Sequence, residues 1–75
     1  MDKKLQKTIS QVFNLNEEDI NEETSQDNVP EWTSVNALLL ITELEKAFNV
    51  VFNEDEITML TSVKNITEIL QTKNL

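Results

Sequence analysis

Leu5, Ile9, Val12 and Phe13 recur at i, i+4, i+7 and i+8, which predicts an amphipathic helix over Lys3–Phe13. Asp2 stands before it as a cap, and Asn14 after it as a left-handed stop, with Leu15 placed to fold back onto the last turn. From residue 16 to 33 the helical period disappears. Asn16-Glu17-Glu18-Asp19 predicts a turn, Asn21 to Asn28 is polar throughout, and Pro30 breaks any helix and pushes Val29 towards extended backbone. So long a connection is uncommon inside a compact domain. It is expected to wrap the helices, held by Ile20, Val29 and Trp32, with Trp32 read as a core plug in preference to an exposed recognition aromatic. The period returns over Ser34–Asn49, with Thr33 as the candidate cap. Val50-Val51-Phe52 reads as an extended link too isolated to make a sheet. Asn53 is placed to cap a short third helix whose Glu54, Asp55 and Glu56 suit its positive end, while Ile57 and Leu60 face inward and Met59 fills a gap. A last helix is expected over Ser62–Gln71, capped by Thr61 or Ser62 and burying Val63, Ile66, Ile69 and Leu70. The pattern therefore predicts an all-α fold: a four-helix bundle of three main helices and one short one, with a long first loop, in one domain over residues 1–75.

Placed on a wheel at about 100° per residue, the second helix gathers Ala37, Leu40, Ile41, Leu44, Ala47 and Phe48 into one core-facing arc. Asn36, Thr42, Glu43, Glu45, Lys46 and Asn49 take the other side. Val35 and Leu39 fall among these polar positions, and Leu38 lies at the border. Single exposed apolar residues are ordinary, and the preceding loop could cover these. A cluster of them on a polar face also fits a docking patch, suited to a groove with apolar pockets rimmed by Lys and Arg. The wheel leaves both readings open.

Composition narrows the chemistry. With no cysteine and no histidine, there is no disulfide, no thiolate or imidazole metal ligand, and no usual general base. With no glycine there is no phosphate-cradling loop. Fourteen acidic against six basic residues give a net charge of −8, which argues against nucleic acid and anionic membranes and for a partner with a basic patch. No apolar run approaches membrane-spanning length and the Met1–Lys4 start lacks a signal-peptide core, so a cytoplasmic protein is expected, without membrane insertion and monomeric. Asn65-Ile66-Thr67 matches a glycosylation acceptor but is read as chance without a secretion signal. Asp19, Asn21, Glu23 and Asp27 have the look of a calcium loop, yet the turn glycine is missing and Pro30 takes the place of the closing glutamate. Glu43 and Glu45, two residues apart on a helix, point in different directions and make no catalytic pair. No catalytic residue and no metal site is assigned, and the chain is not expected to be an enzyme.

Ser34 stands where a loop becomes a helix N-terminus, an end that carries unpaired N–H groups and favours an attached phosphate. By spacing alone Thr33-Ser34 is a helix cap, and no residue nearby could make Ser34 a nucleophile in its own right. It is suited to accept a group installed by another enzyme. The run from Glu31 to Val50, with Thr33-Ser34-Val35 followed by Leu44-Glu45-Lys46-Ala47-Phe48, resembles the Asp-Ser-Leu motif and second helix of the acyl carrier protein family. The acidic turn Glu17-Glu18-Asp19-Ile20, the acidic short helix after Phe52, and Leu60-Thr61-Ser62-Val63 opening a last helix extend that resemblance over the whole chain.

The resemblance implies an acyl-carrier-like bundle in which Ser34 receives 4′-phosphopantetheine from coenzyme A through a separate, magnesium-dependent phosphopantetheinyl transferase. The arm's thiol then carries an acyl group as a thioester between acyl-loading and acyl-processing enzymes that present basic docking patches. It also implies partner contacts at Val35, Leu38, Leu39, Thr42 and Glu45, and an acyl pocket lined by Leu44, Ile57, Leu60 and Ile66. Fatty acid, polyketide, amino acid and surface-polysaccharide pathways all use such carriers. Several positions depart from the family pattern. Thr33 replaces the aspartate and so offers no carboxylate to the transferase, Val35 replaces the leucine, and Asn36 and Leu39 stand where relatives often carry acids. These departures favour a specialised discrete carrier, and keep alive an alternative in which the fold is an unmodified interaction module docking through helix two. A small acidic mimic of nucleic acid is a third reading, resting on charge alone.

Overall fold

The computed structural model describes residues 2–73 and contains α1 (Lys3–Phe13), α2 (Ser34–Phe48), α3 (Glu54–Met59) and α4 (Val63–Thr72), with a 3-10 turn at Glu17–Asp19. Local chemistry sets the boundaries. The Asp2 carboxylate accepts from the Leu5 N–H, Thr33 Oγ1 from that of Asn36, Asn53 from that of Glu56, and the Ser62 hydroxyl from that of Asn65, so each helix starts on a side-chain cap. Asn14 and Asn49 adopt left-handed backbone at φ 56° and 53° and end α1 and α2. Asparagine tolerates that region better than other non-glycine residues, and this chain has no glycine to use. After Asn14, the Leu15 N–H bonds back to the Ser10 carbonyl, as the apolar stop of α1 led one to expect.

α1 and α2 lie against each other and run antiparallel. The Lys4 ammonium, near the start of α1, donates to the Ala47 carbonyl near the end of α2 and lies 5.0 Å from the Phe48 ring centre. At the other end Phe13 meets Trp32, ring centres 4.8 Å apart and tilted by 33°. Trp32 is therefore the core plug of the long loop, worth about 0.5–1.5 kcal/mol beyond its buried area. The core also takes Leu5, Ile9, Ile20, Val29, Leu40, Leu44, Phe52, Leu60, Val63, Ile66, Ile69 and Leu70. Of the expected α2 arc, Leu40 and Leu44 are fully buried, while Ala37, Ile41, Ala47 and Phe48 are half-buried at its edge.

The long loop is fastened by more than its apolar anchors. Gln6 donates to the carbonyls of Glu17 and Ile20, which holds the 3-10 turn on α1. Thr24 is buried; its hydroxyl accepts from the Asn21 N–H and its carbonyl accepts from the Val63 N–H. With Gln26 N–H donating to the Thr61 carbonyl and a bridge between Ser25 and Ser62, the loop is paired to the start of α4.

α3 is held differently. None of its residues is fully buried, and Ile57 is only half-buried. Asn53 and Glu56 form a reciprocal capping box, the Glu45 carboxylate accepts from the Phe52 N–H at 3.0 Å, and Lys73 pairs with Glu56 at 2.9 Å. The Asn53 N–H and then the Lys73 ammonium hold the Glu56 carboxyl below its ordinary value of 4.5. Lys73 also lies 5.4 Å from the Phe52 ring centre. Met59, expected as a gap filler, is instead 49% exposed: the first turns of so short a helix leave its C-terminal end unburied.

Candidate functional site

Four serines offer hydroxyls, and their surroundings separate them. Ser10 donates to the Leu15 carbonyl, Ser25 accepts from the Asp27 N–H, and Ser62 caps α4; all three are half-buried. Ser34 is exposed, and its hydroxyl has no hydrogen-bond partner among the described residues. Local folding puts it there. Pro30 and the turn from Val29 to Trp32 bring the chain in, buried Trp32 anchors it, and Thr33 opens α2 one residue later. The Asn36 side chain donates to the Glu31 carbonyl at 2.8 Å, tying the first turn of α2 to the loop before it.

The electrostatics of this end suit an anion. Thr33 takes up the N–H of Asn36 through its hydroxyl and that of Ala37 through its carbonyl, leaving the Ser34 and Val35 N–H groups at the positive end of a 15-residue helix. No acidic residue lies in this first turn. A phosphodiester on the Ser34 oxygen would therefore meet free N–H groups and no carboxylate on α2 nearer than Glu43.

Around Ser34 the surface is apolar. Val35 is 75% exposed, Leu38 65% and Leu39 46%, so the loop does not fold over them and the docking-patch reading of the wheel gains its exposed side chains. From Ser34 to Thr42 α2 carries no charge. Thr42 is exposed, and its hydroxyl donates to the Leu38 carbonyl. Glu45 is half-buried and its carboxylate is engaged by the Phe52 N–H, a structural duty that helix periodicity gives no sign of. Glu43 pairs with Lys46 at 3.5 Å. Leu44, Leu60 and Ile66 lie in the buried core and Ile57 packs against it.

A cleft of about 300 Å³ lies away from Ser34, in the long loop, lined by Leu15, Asp19, Asn21, Glu23, Thr24, Asn28 and Val29. Its polar groups serve the loop itself: Asn21 accepts from the Glu23 N–H, and Asn28 accepts from the Ser25 N–H and donates to the Glu23 carbonyl. Among the described residues no group of three or more His, Cys, Asp or Glu could hold a metal, and no helix is long and apolar enough to cross a membrane.

Comparison with known proteins gives one family. A family model described as PP-binding, phosphopantetheine attachment site, matches residues 3–70. No curated protein matches the chain.

Proposed function

Because the chain belongs to the phosphopantetheine-attachment family, whose domains are carriers that bear 4′-phosphopantetheine covalently on a serine, we propose that Ser34 is that serine and that the chain is an acyl carrier protein. The observation that carries the reading is the contrast among the four serines: Ser34 alone is exposed and without a partner among the described residues, and it stands as the first residue of α2. Ser34 Oγ would hold the group through a phosphodiester, with 3′,5′-ADP released from coenzyme A and the hydroxyl proton taken by a base of the transferase. When attached, the group supplies a thiol on which an acyl intermediate travels as a thioester. The chain's own residues do the rest. Thr33 and the Asn36–Glu31 bond hold the Ser34 turn, and the free N–H groups of Ser34 and Val35 would be available to a phosphate on it.

Val35, Leu38, Leu39 and Thr42 give partner enzymes an apolar, uncharged strip to grip, while the acidic loop steers basic surfaces towards it. Glu45 flanks this strip and also fastens the α2–α3 link. The acyl chain would shelter among Leu44, Ile57, Leu60 and Ile66 if α3, held largely by polar ties, shifts outward. The test is intact mass after incubation with coenzyme A and a broad-specificity transferase. A gain of one phosphopantetheine, absent in Ser34→Ala, is expected. A chain left bare by several transferases favours the second reading, an unmodified interaction module, which the missing carboxylate at Thr33 supports.

A further inference from the structure

Leu39 does not face the same way as Leu38. On the helix they are about 100° apart, and Leu39 lines a cleft of about 150 Å³ between α1 and α2, with Thr8, Gln11, Val12 and Glu43. Two of its five lining residues, Val12 and Leu39, are apolar. Val12 packs against the core, and buried Thr8 spends its hydroxyl on the Lys4 carbonyl at 2.8 Å, presenting no free polar group of its own. A space on the order of 150 Å³ holds a benzene-sized ring.

The one charged side chain that lines this cleft, Glu43, is acidic, but the α1 side of it is basic. The chain carries −8, yet α1 contains Lys3, Lys4 and Lys7 and no acid. Lys4 and Lys7 lie one turn from Thr8 and Gln11, and Lys46 lies one turn from Glu43, where i, i+3 and i, i+4 positions are neighbours. Glu43 is already paired with Lys46, whose side chain remains 71% exposed. Lys7 is exposed as well.

We propose that the α1–α2 cleft is a second docking surface, for an acidic amphipathic segment of a partner protein that seats one aromatic or leucyl side chain between Val12 and Leu39 and sets carboxylates against Lys7 and Lys46. In a second copy the acidic loop keeps its apolar anchors Ile20, Val29 and Trp32 buried, and the acidic α3 exposes Met59, which is neither aromatic nor leucyl. The surface shares Leu39 with the strip beside Ser34 and extends from there onto α1.

The test uses the full chain, labelled with nitrogen-15, and a helical peptide carrying one Phe in a Glu- and Ala-rich background. The amide signals of Thr8, Gln11, Val12, Leu39 and Glu43 should move on titration. Replacing the peptide's Phe by Ala should weaken binding about tenfold, and replacing its Glu residues by Lys should abolish it. Lys7→Glu combined with Lys46→Glu should weaken it by a similar factor, while Lys64→Glu, on exposed α4 surface, should not. No binding, equal binding of the Lys-rich peptide, or shifts centred on Val35 and Leu38 would overturn the proposal. So would concentration-dependent shifts of these amides without peptide, which would assign the cleft to self-association. None of these outcomes bears on the attachment at Ser34, which the mass measurement decides separately.

Discussion

α2 and α3 both begin on a capped turn after an irregular segment, and they treat the positive end of the helix in opposite ways. α3 saturates it: Glu54, Asp55 and Glu56 fill the first turn, Glu56 returns a bond to the Asn53 N–H, and Lys73 closes on Glu56 from the end of α4. α2 leaves it open, with Thr33 as its side-chain cap, no acid in the first turn, and Ser34 and Val35 in solvent. One helix start is consumed by the fold; at the other, the first turn holds no acid, as the proposed attachment at Ser34 requires. The acids of α3 already stand in the sequence, but the bond of Glu56 to the Asn53 N–H and its closure by Lys73 are seen only in the fold.

Substitutions sharpen this contrast. Asn53→Ala removes one half of the capping box and loosens the other, and should cost about 1–2 kcal/mol, read by urea unfolding. Thr33→Ala removes a single bond and should cost about 1 kcal/mol or less by the same measurement. If the order is reversed, the saturated and open ends have been misassigned. An acid added to the open end should help: Val35→Glu is expected to stabilise by about 0.3–1 kcal/mol at low salt, and the gain should shrink as salt is raised. An added acid at the crowded start of α3 should give no such gain.

The smallest effect is a pH dependence. The Glu56 carboxyl is held below its ordinary value of 4.5 in the folded chain, so its contribution is complete above that value and is lost as pH falls through the lower folded value. Glu56→Gln should therefore unfold more easily than the parent near neutral pH, with the gap closing on acidification below 4.5. A gap that stays constant into acid would show that the charge of Glu56 contributes nothing.

The helices were legible because in this chain caps and apolar period coincide. Asp2, Thr33, Asn53 and Ser62 open the helices, and Asn14 and Asn49 close α1 and α2 where the period stops. What escaped the sequence is contact between distant segments. The pairing of residues 24–26 with 61–63 is mostly backbone to backbone and leaves no side-chain pattern. The Lys73–Glu56 and Glu45–Phe52 ties depend on how α3 sits, which six residues with a single inward turn do not determine. The exposure of Met59 has the same origin. Ser34 was legible as a helix start and by resemblance, but its distinction from Ser10, Ser25 and Ser62 needed exposure and hydrogen bonding. The exposure of Val35 and Leu39 followed from the wheel, whereas the cleft that Leu39 shares with Val12 required the packing of α1 on α2.

The most direct measurement is fragment mass mapping of the chain purified from its own cells, locating any attached group to a residue. The account predicts phosphopantetheine on Ser34, and a Ser34→Ala chain that folds but stays bare. Attachment at Ser10, Ser25 or Ser62, or a native chain without the group on any serine, would contradict it.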